Sequence, residues 1–337
     1  MRKITIIDVA IKAGVSPTTV SRVLNNDTRK HMREETKQRV SKVIKQLDYT
    51  PNKYARFMKK QKSGVIGVLV PDISDQFFSL MVRGIENISY QNDYSVIICD
   101  AENSLEKEKK YIKVLLKEIV EGAILTSSGI ENGKVKKFIK ERIPVILADR
   151  KLKNGDLPYV GSDGIKDSYT LTKYLIDLGY KEIGFLKGPP EVATAKERFE
   201  GYIRAMEQNR LIIDENYLKQ GDYTFQSGYL AGKELVGLNR LPQAIIAAND
   251  LMAIGVIRAL EERGLRIPED IGVAGFGNIP LSSLVKPKLT TIEIPAYDIG
   301  REATLILLSY IKRKRKRIKT KIMDTKLIKG ESCKSLK

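Results

Sequence analysis

The chain has 337 residues, the length of roughly two domains. Lys and Arg number 59 against 41 Asp and Glu, a formal charge of +18, which points to a polyanionic partner. The 42% of hydrophobic residues excludes global disorder. The single histidine, His31, excludes a multi-histidine metal site, and Cys99 and Cys333 lie too far apart to read as a zinc or redox motif; two cysteines fit a reducing cytosol.

The opening MRKITIIDVAIKAGV is interrupted by Asp8 and Lys12, so no secretory signal is expected. No run approaches the ~18 apolar residues of a membrane span. A cytoplasmic protein away from membranes is the resulting expectation. Thr5 and Asp8 have the Thr-x-x-Asp spacing of a helix start, and Ile6, Val9, Ala10 and Ala13 then form one apolar face. Gly14 ends that helix. Ser16 and Pro17 open a second helix, as N-cap and first helical residue. Val20, Val23 and Leu24 make its buried face, which leaves Thr18, Thr19, Ser21 and Arg22 exposed. A turn begins at Asn25, and a third helix is predicted over 34–47 with Val40, Val43, Ile44 and Leu47 inward.

Two helices joined by a glycine turn, with small hydroxyl residues at the start of the second, make a helix-turn-helix. The second helix enters the major groove by its N-terminal end. Short side chains there let the backbone approach, and Arg22 can reach guanine O6 and N7 or a phosphate. The charge agrees with this reading. Residues 1–62 carry +11 and residues 311–337 carry +10, while residues 63–310 sum to −3. A basic module on a nearly neutral body is a DNA-binding layout.

The pattern A-x-x-x-G-V-S-x-x-T-V-S-R-V-L-N, from Ala10 to Asn25, resembles the LacI/GalR family of transcriptional regulators. The resemblance extends over nearly the whole chain. The segment after the third helix, with Asn52, Ala55, Arg56 and Met58, is similar to the family's Y-x-P-N-x-x-A-R-x-L hinge. The resemblance implies a short helix that forms on operator DNA, pairs with that of a second subunit and wedges an apolar side chain into the minor groove. Met58 stands where the family has leucine. A second departure is Arg33, where the family has a Ser or Thr cap; the loss costs about 1 kcal/mol.

The body alternates apolar strand patterns (65–70, 95–98, 123–125, 145–147, 183–186, 244–247, 271–274) with helical ones (77–91, 105–118, 165–178, 195–209, 225–236, 251–263). Such alternation predicts doubly wound parallel sheets. The fold class expected is therefore an all-α helix-turn-helix domain plus a two-lobed α/β core like the periplasmic binding proteins. The domains expected are 1–48, a hinge and linker at 49–62, and a core at 63–337. The resemblance divides that core into lobes of 63–161 with 293–323, and 162–292 with 324–337. No Walker motif is present, and a Ser-His-Asp set is implausible with His31 beside the helix-turn-helix. The segment 272–277 reads as a strand and its exit rather than a nucleotide loop, so no enzyme activity, cofactor or metal is expected.

A polyol site needs aromatic faces for C–H surface and charged or amide groups for hydroxyls. The resemblance places effector contacts at strand exits: Asp75, Phe77 and Phe78; Asp149 and Arg150; Thr194 and Arg198; Tyr223; Asn249; and position 277. Asp250 reads as a contact neighbour or a helix cap. Phe77 and Phe78 read equally well as helix core. Two departures remove polar groups: Gly277 stands where the family has Asp, with Asn278 or water as a substitute, and Ile294 stands where it has Gln. The segments TAKERFEG and IPAYDIG look most like ribose operon repressors, which implies a pentose-like effector. The basic run at 312–317 reads as a solvated helix terminus. With no heptads near its end, the chain is expected to form a homodimer. The expected partners are near-palindromic operator DNA and a small sugar-like effector. Two other readings stay open: a catabolite-control regulator with a protein corepressor, and a cytosolic sugar-binding protein.

Overall fold

The computed structural model describes residues 4–24, 32–49, 63–117, 120–126, 137–151, 157–312 and 320–337. The chain divides into two compact units, Met1–Ser63 and Gly64–Lys337.

The first unit contains α1 (Ile6–Ala13), α2 (Pro17–Leu24) and α3 (Glu34–Gln46). Thr5 and Asp8 form a reciprocal capping box: the Asp8 carboxylate accepts the Thr5 N–H at 2.8 Å, and Thr5 Oγ1 accepts the Asp8 N–H at 3.4 Å. Gly14 ends α1 at φ 61°, where a side chain would be strained. Val9, Ala10, Ala13, Val20, Val40 and Val43 are buried together, the helical spacing having put them on the facing sides of three helices. At Arg33 no side chain caps α3, as the missing Ser or Thr implies. Glu34 and Glu35 lie in its first turn, where the helix dipole favours acid.

The second unit holds β1 (Val65–Val70), α4 (Gln76–Gln91), β2 (Ser95–Asp100), α5 (Leu105–Lys117), β3 (Gly122–Leu125), β4 (Val145–Ala148) and β5 (Tyr159–Gly161). It continues with α6 (Gly164–Asp177), β6 (Ile183–Lys187), α7 (Ala193–Gln208), β7 (Leu218–Gln220), α8 (Phe225–Val236), β8 (Ala244–Ala247), α9 (Asp250–Glu261) and β9 (Gly272–Gly277). Last come β10 (Thr290–Glu293), α10 (Ala296–Ile311), β11 (Lys321–Ile322) and β12 (Lys326–Ile328). Among the described residues the strands form two sheets of six, in the orders β11-β5-β4-β3-β1-β2 and β12-β10-β9-β8-β6-β7. All pairings are parallel except β10 with β12. Leaving out β11 and β12, both sheets have the same doubly wound order, with the reversal beside β1 in one and β6 in the other.

The central strands β3, β4 and β8 are buried along their whole length, which is why they read as continuous apolar runs. In the lobe built on the first sheet (lobe 1; lobe 2 is built on the second), α10 packs on α4 so closely that a Cβ on Gly84 would lie 2.1 Å from the Tyr297 carbonyl oxygen. The chain passes between the sheets at 162–163, 294–295 and 323–325. Ligand crevices in such sheets open at the carboxyl ends of the strands, and here both sets of ends face one cleft.

Candidate functional site: a helix-turn-helix and an interlobe cleft

In the first unit, Ser16 Oγ accepts the Thr19 N–H at 3.2 Å and lies 3.0 Å from the Thr19 hydroxyl. This N-cap starts α2 at Pro17 and turns its first residues outward: Ser16, Pro17 and Thr18 are exposed, while Thr19, Ser21 and Arg22 are half-buried. Thr5 is exposed at the start of α1, and its hydroxyl donates to Asp8 at 2.7 Å. Asn25, Asn52, Ala55, Arg56 and Met58 lie outside the described residues, as do His31 and the basic run beyond Lys312.

The second unit contains a cleft open to solvent, with about 410 Å³ of empty space between its walls, the open mouth included. Asp75, Phe77, Phe78, Asp149, Arg150, Thr194, Arg198, Tyr223, Asn249 and Gly277, read from sequence, all line it. Lobe 1 supplies the first five. Asp75 caps α4, its Oδ1 accepting the Phe77 N–H at 2.8 Å. Burial pushes the Asp75 carboxyl up to about 6, against the Phe77 N–H and the Arg150 charge, which both lower it. The Phe77 and Phe78 rings meet edge to face at 5.3 Å; both are core residues and also line the cleft. The Arg150 guanidinium lies 5.1 Å from the Phe78 ring centre and 5.6 Å from that of Tyr223, joining an aromatic of each lobe. Asp149 sits in left-handed backbone at φ 60°, and its carbonyl accepts the Tyr159 hydroxyl at 2.9 Å. Burial raises the Asp149 carboxyl, with Arg198 and Arg150 opposing that shift.

In lobe 2, the Thr194 hydroxyl is 3.3 Å from that of Tyr223 at the start of α7. Arg198, one turn on, donates from Nη1 to the Ala248 carbonyl at 2.6 Å and lies 5.0 Å from the Phe276 ring. Its Nε is buried without a hydrogen-bond partner. Between the lobes, Lys151 Nζ pairs with Glu197 Oε1 at 2.8 Å, and Gln76 Oε1 accepts the Leu281 N–H at 3.0 Å.

Two expectations change. The cap of α9 is Asn249, not Asp250: Asn249 Oδ1 accepts the Met252 N–H at 2.9 Å, and its Nδ2 donates to the Tyr223 carbonyl at 2.8 Å. Asp250 is buried instead, accepting from Thr291 Oγ1 at 2.6 Å, Ser282 Oγ at 2.6 Å and the Ile279 N–H at 3.0 Å. Asn278, expected as a substitute for the missing carboxylate, is not among the residues lining the cleft; its Nδ2 donates to Glu293 Oε1 at 3.4 Å. Leu251, Phe276 and Ile279 also line the cleft and were not singled out; their positions just after β8, at the end of β9 and just beyond it were the available signal.

Residues 5–52 match the model of bacterial regulatory proteins of the lacI family, and residues 172–333 match the periplasmic binding protein-like domain. The chain is 37% identical to the HTH-type transcriptional regulator RegA of Clostridium saccharobutylicum over 96% of this chain and 98% of that protein. The chain belongs to the LacI family. As a LacI-family member it is a DNA-binding transcriptional regulator and not an enzyme. A lac repressor dimer bound to operator superposes with a TM-score of 0.87, at 26% identity over 98% of this chain and 99% of that one. A LacI-family regulator from Enterococcus faecium with bound ribose superposes with a TM-score of 0.73, at 32% identity over 81% of this chain and 100% of that one. Among the described residues no helix is long and apolar enough to cross a membrane, and no cluster of His, Cys, Asp and Glu suits a metal ion.

Proposed function

We propose that the protein is a homodimeric repressor whose interlobe cleft takes a small polyhydroxylated effector of pentose size. The convergence of the exits of β1, β4, β6, β7, β8 and β9 on that one cleft carries the reading. Phe77, Phe78 and Tyr223 supply faces for C–H surface. Asp149, Arg150 and Arg198 supply charged partners for hydroxyls, each such bond worth about 1.5–3 kcal/mol. Similarity to the ribose-bound regulator supports a pentose. Ser16, Pro17, Thr18, Thr19, Ser21 and Arg22 are the proposed groove contacts, with Thr5 on the adjoining backbone. Asn25, Asn52, Ala55, Arg56 and Met58 are proposed to complete the operator interface on the strength of the family resemblance.

An effector touching both lobes changes operator affinity only through unequal affinity for two lobe arrangements. Selection from random DNA, followed by a melting screen with pentoses, hexoses, their phosphates and purines, tests the reading. A near-palindromic site and a stabilising pentose are expected, since a ligand at 100 times its Kd adds about 2.7 kcal/mol. Absence of any enriched site, or of any stabilising small molecule, contradicts it.

A further inference from the structure

The cleft is unevenly polar. Asp75, Asp149, Arg150 and Arg198 bring charge to it, whereas the wall made by the exits of β8, β9 and β10 presents Leu251, Phe276, Gly277, Ile279 and Ile294, with Asn249 tied by Oδ1 to the Met252 N–H and by Nδ2 to the Tyr223 carbonyl. The carboxylate of that wall, Asp250, is committed on both oxygens: Oδ1 to Thr291, and Oδ2 to Ser282 and to the Ile279 N–H. The main chain at Ile294 is committed as well. The Ile294 N–H donates to the Gly277 carbonyl at 3.4 Å, and the Ile294 carbonyl accepts the Ala296 N–H at 2.7 Å. Gly277 has φ 133°, a conformation that side chains rarely adopt, so a polar side chain does not fit there without strain. Ile294 is 3% exposed and offers only methyl and methylene surface.

A ligand hydroxyl placed against the Ile294 side chain gives up its water and gains no hydrogen bond from it. We propose that the effector turns toward this wall a ring edge lacking a hydroxyl, a deoxy or methyl-bearing carbon, and that Ile294 sets the preference. The inference rests on reading the cleft as the effector site, and it names the class of ligand that fits. An unpaired buried hydroxyl weakens binding about tenfold or more, so a deoxy compound binds better than its parent polyol by that factor.

The test uses the full-length protein and matched pairs: D-ribose with its 2-, 3- and 5-deoxy forms, D-galactose with D-fucose, and L-mannose with L-rhamnose. Dissociation constants come from melting shifts over a concentration series. At least one deoxy member is expected to bind about tenfold tighter than its parent, and Ile294→Gln is expected to abolish or reverse that ratio. Operator binding by the variant verifies its folding; if it does not fold, the wild-type ranking still decides. Parents that bind as tightly as every deoxy partner overturn the inference and leave the cleft assignment standing. If no ring compound shifts the melting temperature, both fall.

Discussion

Asp250 belongs to the fold although it lines the cleft. Its carboxylate gathers the start of α9, the segment after β9 and the strand β10, through Ile279, Ser282 and Thr291. Asp250→Ala leaves those buried donors without acceptors and is expected to destabilise the core by roughly 3 kcal/mol, measured by urea unfolding. An unchanged midpoint contradicts this role. Asp75 makes a pH prediction. Its folded pKa of about 6 lies above the ordinary 3.8, so the protonated form is favoured by folding. That stabilisation is whole below about pH 4 and is lost as pH rises through about 6. Asp75→Asn keeps a capping oxygen and removes the titration, so the stability of wild type relative to the variant should fall across that window. A constant difference counts against the shift. The cleft residues were legible through the resemblance to the LacI/GalR family, which places them at strand exits. The commitment of Asp250 was not legible, since its partners lie 29 to 41 residues away and meet it only in the folded lobe.

Elements with a strong period read well from sequence. The α1 start, the Ser-Pro opening of α2 and the apolar runs of β1 and β8 each have a local cause: a cap, a fixed φ or burial on both faces. The strands β5, β7, β11 and β12, of two or three residues, carry too few residues for any period and form only because neighbours supply the ladder. The pairing of elements across the cleft has a functional consequence. Lys151 follows β4 in lobe 1 and Glu197 lies on α7 in lobe 2, so their 2.8 Å ion pair favours the lobe arrangement seen here. Both side chains are partly exposed, which limits the pair to about 1 kcal/mol or less. Lys151→Ala should shift the effector concentration for half-release of operator by a few-fold, up to about fivefold. An unchanged midpoint removes the pair from the switch.

At the scale of the whole molecule, the charge of +18 divides into a basic reader, a nearly neutral sensor and a basic stretch near the C-terminus. Specific operator affinity depends on the phosphates that the reader neutralises. Replacing residues 312–317 by neutral ones is therefore expected to leave specific affinity and its salt slope nearly unchanged, as read by anisotropy at several ionic strengths. A slope reduced by several units would make that run part of the DNA interface. The central claim is that one cleft ligand controls operator release. Arg198 decides it, because this side chain lines the cleft and belongs to the unit separate from the helix-turn-helix. The most direct measurement is operator anisotropy titrated with the effector found by melting shift, for wild type and Arg198→Ala. Both proteins should bind operator equally without effector, and only wild type should release it. Release of Arg198→Ala at the wild-type effector concentration would contradict the account.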